Sequence, residues 1–178
     1  MLQTFYIDHM GSDLSVVNAA RVSFGKRSEW NPDWRDDHYE PLLPADSKLI
    51  KYLAKHKHMS PFGHAFASFH IKAPVFVARQ LVKHKFLRWN EISRRYVDSE
   101  PELYVPNEWR GRAEDVKQGS SGEVKVPYLV PHEFHRSALY EYETLLEAGV
   151  CPEQARMVLP QSMVTEWYWS GSLDAFAD

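Results

Sequence analysis

The spacing of apolar and polar positions changes several times along the 178-residue chain, and each change marks an element. Leu2 to Ile7 reads as a short strand. Asp13-Leu14-Ser15 can then cap a helix that carries Val16, Val17, Ala19 and Ala20 into Arg21-Val22-Ser23. Residues 25 to 45 hold three prolines and two tryptophans among charged side chains with no period, which predicts a surface insertion partly ordered by its aromatics. From Asp46 or Ser47 a helix resumes, with Leu49, Ile50 and Leu53 on one face and Lys48, Lys51 and Lys55 on another, ending near His58. A turn-rich link, His58 to His64, leads to residues 65–72, where Phe66, Ser68, His70 and Lys72 alternate with Ala65, Ala67, Phe69 and Ile71 as in a strand. Pro74 suits the first position of a helix that turns Val75, Ala78, Leu81 and Val82 inward. Residues 107 to 125 read as a mobile loop. A helix from Pro131 or His132 to Leu146 should stop at Gly149, and Pro152 should open another through Leu159.

Strands and helices are thus interspersed, and at 44% hydrophobic the chain can build one domain over residues 1–178. No run approaches the roughly 20 apolar residues that span a bilayer. The opening MLQTFYIDHM has neither a basic start nor an apolar stretch of leader type, so a cytoplasmic protein without membrane contact is expected. The single cysteine, Cys151, has no internal partner for a disulfide and, beside Pro152, reads as a buried inert thiol. Aromatic residues make up 13% of the chain, enough to line a pocket for flat ligands as well as the core.

Charge adds the first chemical contrast. The formal net charge of −3 and a pI near 6.3 argue against a surface built to hold nucleic acid. Yet between Arg79 and Arg95 six basic residues (Arg79, Lys83, Lys85, Arg88, Arg94, Arg95) face one acid, Glu91. Lys83, His84 and Lys85 at a helix end can project cations around one small volume, which suits phosphate or an anionic ring. Arg95 adds a bidentate fork, and Gln80 an amide able to read the edge of a nucleobase. Glu91, read as a buried carboxylate among cations, can stay ionised and orient them or accept a ligand N–H or O–H, or serve only as an ion-pair partner. No metal is expected, because His56-Lys57-His58 and its lysines would place a dication in a positive field. An alternative is a single-stranded nucleic-acid-binding module, since Lys85-Phe86-Leu87-Arg88-Trp89 interleaves cations with aromatics. The acidic pI and the shortness of the basic window weigh against it, and flavin colour in the purified protein would discriminate.

Lys83-His84-Lys85, the seven residues Phe86 to Ile92, and Ser93-Arg94-Arg95-Tyr96 resemble the signature of the flavin-dependent thymidylate synthases (thymidylate synthase complementing protein). There Arg-His-Arg precedes Ser by seven residues in a pattern closing Ser-x-Arg-Tyr. Both arginines of the triplet are lysines here, which keeps charge and loses the planar fork. Further blocks occur in family order: Ala19 to Ser23, His58 to His64, Lys72 to Gln80 and Ala155 to Pro160. Within the second, Gly63 stands where the family usually has Glu.

The resemblance implies an α+β single domain, with a small, mostly antiparallel sheet packed by several helices and variable insertions at about 25–45 and 107–125. It implies reductive methylation of dUMP to dTMP, with methylenetetrahydrofolate as one-carbon donor and FAD reduced by NADPH. It also implies a homotetramer with active sites at subunit junctions. Carried over position by position, FAD contacts fall on Ser60, Lys83, His84, Lys85 and Glu91, and on Ser172, Leu173, Asp174 and Asp178 toward the end. Substrate contacts fall on Gln80, Lys83, Glu91, Ile92, Ser93, Arg94, Arg95 and Arg156. Ser93 is assigned to substrate hydrogen bonding, because no protein nucleophile is required. The family pattern continues past Asp178 to an arginine that promotes ionisation of the uracil ring. The resemblance therefore implies a fragment, a truncated chain or an inactive relative, with no catalytic residue inside residues 1–178 and poor turnover.

Overall fold

The computed structural model describes residues 2–32, 41–115, 117, 119–126 and 129–177. The centre of the first insertion, 33–40, and Asp178 therefore lie outside the described residues. In chain order the elements are β1 (Gln3–Met10), α1 (Asp13–Arg21), α2 (Pro44–Lys55), β2 (Phe66–Pro74), α3 (Val75–Leu81), β3 (Arg88–Glu91), β4 (Arg110–Arg112), β5 (Ser120–Glu123), α4 (Leu129–Glu147), α5 (Pro152–Ala155), β6 (Val164–Ser172) and α6 (Leu173–Ala177). Short 3₁₀ turns cover Val22–Phe24, Ser60–His64 and Arg156–Val158. The larger sheet has the order β1-β2-β6-β3, and β4 pairs antiparallel with β5. The α+β class expected from the sequence is the one observed.

By its contacts the chain divides into two compact units, one formed by Lys72–Arg79 and Glu91–Glu166, the other by Gln3–Ile71, Gln80–Asn90 and the residues from Trp167. They interleave along the sequence, so no single cut in the chain separates them.

In the second unit α1 begins one residue earlier than expected. The Ser12 carbonyl accepts from the N–H groups of Ser15 and Val16 at 2.9 and 3.2 Å, while Ser15 Oγ accepts from the Ser12 N–H at 3.0 Å. Gly11, before this cap, has φ +80°, and a Cβ there would lie 2.8 Å from the His64 carbonyl oxygen, so only glycine fits. Helix α1 buries Val16 and Val17 and packs on the Ser60–His64 turn and on α2. Helix α2 starts two residues ahead of expectation because Pro44, whose missing N–H would be unpaired anyway, opens its first turn. It ends at Lys55 in a Schellman motif: His58 N–H donates to the Leu53 carbonyl at 2.9 Å, Lys57 N–H to the Ala54 carbonyl at 3.1 Å, and Lys57 takes φ +56°. Trp167 of β6, 1% exposed, stacks on Trp89 of β3 with centroids 4.3 Å apart.

The first unit centres on α4, whose Ala138 and Tyr142 are buried with Ala155, Val164 and Thr165. Helix α4 stops at Gly149 as the sequence predicted, and closes in the same Schellman geometry, with Gly149 at φ +83° and Val150 N–H donating to the Leu145 carbonyl at 2.9 Å. Helix α5 is shorter than the predicted 152–159, giving way to 3₁₀ geometry at Arg156.

Two expectations are corrected. The segment 107–125 is not simply a loop. It carries the β4–β5 hairpin, in which cross-strand pairing imposes strand structure on an Arg-, Gly- and Ser-rich sequence of low intrinsic preference. Cys151 is exposed, because it precedes α5, whose buried position is Ala155.

Candidate active site

The cavity of the first unit occupies about 530 Å³. Its polar wall comes from Arg79 of α3, from the segment Glu91 to Arg94 that leaves β3, and from Glu153 and Arg156 around α5. Val75, Met157, Leu159 and Met163 supply apolar surface. Strand pairing extends one residue past β3, where Ile92 N–H donates to the Glu166 carbonyl at 2.9 Å. The chain then folds on Ser93: the N–H groups of Tyr96 and Val97 reach its carbonyl at 3.0 and 3.1 Å, and that of Arg95 reaches its Oγ at 3.2 Å. The Ser93 hydroxyl accepts from this backbone donor and retains its own proton to donate.

Thr165 holds Glu91. Its hydroxyl, on a residue only 3% exposed, donates to Glu91 Oε1 at 2.6 Å. Glu91 itself is exposed, which corrects its reading as a buried carboxylate: β3 ends at this residue and only the threonine behind it is sealed. Arg94 Nη1 donates to the Ser99 carbonyl. Arg95 Nε donates to Glu153 Oε1 at 3.0 Å and its guanidinium lies 5.5 Å from the Tyr96 ring centroid. The hydrogen bond from Arg95 holds the Glu153 carboxyl below the usual carboxylate range. Elsewhere in the same unit, Lys72 Nζ meets Glu102 at 2.7 Å, which raises the lysine and lowers the glutamate from their ordinary values.

The second unit holds the basic triplet. Lys83 N–H reaches the Gln80 carbonyl at 3.3 Å and His84 N–H the Leu81 carbonyl at 3.1 Å as α3 unwinds, and Phe86 then takes φ +65°. Gln80, Lys83 and Lys85 are exposed, while half-buried His84 meets the edge of Trp169 with centroids 5.8 Å apart. A cavity of about 610 Å³ in this unit is lined by Arg21, Lys26, Tyr52, His58 and Ser60. The rings of Tyr52 and His58 lie nearly parallel, 17° apart. Arg21 is fixed by Asp46, which is 0% exposed: its Nε and Nη2 both donate to Asp46 Oδ1, the former at 2.9 Å, and Ser28 Oγ donates to the same oxygen at 3.1 Å. Asn18 clamps Ser28 through both backbone groups, at 2.7 and 3.1 Å. Ser172 and Asp174 are half-buried.

Of the expected substrate residues, Glu91, Ile92, Ser93, Arg94 and Arg156 share one cavity, and Arg95 pairs with its Glu153. Gln80 and Lys83 belong to the second unit, as do all the described FAD residues except Glu91. Lys83, His84 and Lys85 are thus counted with the second unit and Glu91 with the first. Arg79, Glu153 and Thr165 were not singled out as site residues. Arg79 sits one turn before the basic triplet and Glu153 three residues before Arg156, spacings that could have drawn attention to both. Thr165 lies 74 residues from Glu91 and gives no local signal. The aromatic run proposed for base stacking is partly spent inside the fold, since Trp89 covers Trp167. Among the described residues no three His, Cys, Asp or Glu gather as a metal site, and no helix is long and apolar enough to cross a membrane.

The cavity gathers three arginines, Arg79, Arg94 and Arg156, beside the Ser93 hydroxyl and the carboxylates of Glu91 and Glu153, a polar lining within an α+β fold. The chain belongs to the thymidylate synthase complementing protein family, which it matches over residues 6–178. The flavin-dependent thymidylate synthase of Thermus thermophilus is 39% identical over 169 residues, covering 94% of this chain and 58% of the relative. That of Thermotoga neapolitana is 41% identical over 165 residues, covering 92% and 68%. The chain thus spans less than two thirds of the length of the Thermus relative. Among solved structures, the UMP/dUMP methylase PolB from Streptomyces cacaoi bound with 5-Br dUMP aligns with a TM-score of 0.78 and 31% identity, over 98% of this chain and 75% of that one. The same methylase bound with 5-Br UMP gives 0.75 and 28%.

Proposed function

We propose that this chain is the core of a flavin-dependent thymidylate synthase, converting dUMP to dTMP with methylenetetrahydrofolate as one-carbon donor and FAD reduced by NADPH. The observation that carries this reading is the 530 Å³ cavity in which Arg79, Arg94 and Arg156 converge beside Ser93 and the Thr165-anchored Glu91. The arginines suit a nucleotide monophosphate, since guanidinium forks match phosphate oxygens. Ser93 donates its hydroxyl proton to a substrate oxygen, and Glu91 accepts from a substrate or cofactor N–H. Arg95 exchanges Glu153 for ligand when the cavity fills.

FAD contacts fall on Ser60, Lys83, His84, Lys85, Ser172 and Asp174, with Gln80 reading the pyrimidine edge. The residues of the second unit suit a flavin dinucleotide: lysines at 83 and 85 for its phosphates, and a buried acceptor, Asp174 Oδ1, with no donor among the described residues. Bound there, flavin would supply the hydride for the reductive part of the methylation, and Ser93 is assigned to hydrogen bonding of the substrate and not to covalent attack. The working form is a cytoplasmic homotetramer whose sites lie at subunit junctions.

The test is reconstitution of the purified chain with FAD followed by titration with dUMP and with UMP. A yellow protein whose flavin spectrum shifts on adding dUMP is expected, with only slow formation of dTMP when NADPH and methylenetetrahydrofolate are present. A well-folded protein that takes up no FAD would sink the reading.

A further inference from the structure

For folding alone, valine would serve at position 165, where only 3% of the residue is exposed, since it has nearly the shape of threonine and the stronger claim on a buried strand. Thr165 instead carries a hydroxyl there, and that hydroxyl donates to Glu91 Oε1 at 2.6 Å. Both residues line the 530 Å³ cavity, yet they are held very differently. Glu91 is exposed at the end of β3, and a glutamate side chain in water can turn about three bonds. Thr165 is fixed from both sides of its backbone: Val164 N–H donates to the Glu102 carbonyl at 2.8 Å, and the Glu166 carbonyl accepts from Ile92 N–H at 2.9 Å. Its branched side chain is stiff at χ1. The hydrogen bond therefore runs from a partner that cannot move to one that can, and its length is that of a hydroxyl on a carboxylate.

We propose that Thr165 is a positioning residue of the nucleotide site: its hydroxyl orders the Glu91 carboxylate before ligand arrives, in the orientation that accepts a ligand N–H or O–H. This rests on the reading of the cavity as the dUMP site. A side chain that has to be ordered on binding subtracts that entropy from the affinity, whereas one ordered on folding does not. Strand β6 lies next to β3 in the sheet, and the register that joins Ile92 to Glu166 also sets the hydroxyl beside Glu91. β6 thus serves the site through Glu91.

The test measures dUMP affinity by calorimetric titration with FAD saturating, and the urea midpoint, for the full chain and for Thr165→Val, Thr165→Ser, Glu91→Ala and Thr165→Val/Glu91→Ala. Thr165→Val is expected to weaken dUMP binding about 3- to 10-fold, the scale of one hydrogen bond, and Thr165→Ser to bind close to the parent because it keeps the hydroxyl. The urea midpoints should run in the opposite order, with serine the less stable because it loses a buried methyl group. Once Glu91 is alanine, Thr165→Val should weaken binding no further. A valine variant that binds dUMP like the parent overturns the proposal. So does an affinity that follows the order of the urea midpoints, since a merely structural threonine would give that result, and so does an equal loss with and without Glu91. Should the valine variant not fold, Thr165→Ala takes its place, and equal affinity in Thr165→Ala and Thr165→Ser overturns the proposal. A parent chain that binds no dUMP removes the nucleotide reading of the cavity and this proposal with it, so the two failures are told apart.

Discussion

Arg21 lines the cavity of one unit and Arg95 borders that of the other, and each meets a carboxylate in very different surroundings. Asp46 is sealed, and its oxygen collects Arg21 and Ser28, with Asn18 clamping Ser28 from behind. Arg95 and Glu153 are 52% and 42% exposed and share one hydrogen bond. Taking a charge out of water is repaid only when its partners stay in place, whereas a pair in solvent contributes little and exchanges easily. Arg21 is thus part of what folds its unit. Arg95 can leave Glu153 for a ligand at small cost, and the cavity beside it can be polar and wide because its side chains are held by strand pairing, one turn and one buried threonine.

The largest effect that separates the two regions should come from Asp46→Ala. Arg21 would keep a buried charge without its partner, although a quarter of its side chain remains in water. We expect a loss of roughly 3 kcal/mol, near the lower end of the range for breaking a buried ion pair, read from the urea midpoint. A loss below about 0.5 kcal/mol, the scale of an ordinary surface substitution, would show that the buried network does not secure this unit.

Arg156→Ala should do the opposite, leaving the urea midpoint nearly unchanged because the side chain is exposed on the 3₁₀ turn. Removing one charge-assisted contact to phosphate should weaken dUMP binding about 10- to 100-fold by calorimetric titration. Equal binding by variant and parent would take the phosphate out of this cavity.

The difference between the regions also explains how far the sequence could be read. Helices α1, α2 and α4 were legible because an apolar stripe and local stop signals, a serine cap or a glycine such as Gly149, suffice to place them. Strands β3 and β6 were not read: Arg-Trp-Asn-Glu has no alternation, and both depend on neighbours distant in sequence. The residues of the first cavity were legible through Glu91 to Arg94 and Arg156, which lie in blocks that resemble the family. Thr165, Arg79 and the exposure of Glu91 follow from how strands meet, which spacing does not encode. The Asp46 network was missed because Asp46 looked like an ordinary helix-start acid.

Both units end a helix with a Schellman motif, yet one uses Gly149 and the other Lys57 at the left-handed position. A lysine there carries a conformational cost that glycine avoids, so Lys57→Gly should stabilise the second unit by about 0.5–1 kcal/mol in thermal or urea unfolding. A stabilised variant with weaker binding of an anionic co-substrate would mean that the lysine is kept for its charge beside His58. Destabilisation would mean that its side chain makes contacts outweighing the strain.

The smallest effect tests the loose pair itself. Arg95 lowers the carboxyl of Glu153 in the folded chain, so the contribution of the pair is fully present above the ordinary carboxylate value and is lost as pH falls through the lowered one. Stability therefore declines on acidification in that window, and by little, since both partners are in water. The sharper readout is the Arg95 Nε–H resonance, which should move as Glu153 gains its proton and should not move over the same window in Glu153→Gln. If Arg95 exchanges partners as the cavity fills, saturating dUMP should remove this pH dependence in the parent chain. A pH dependence of the Arg95 Nε–H resonance that persists unchanged with dUMP bound would mean that the arginine never leaves Glu153, and that the exposed pair is as fixed as the buried one.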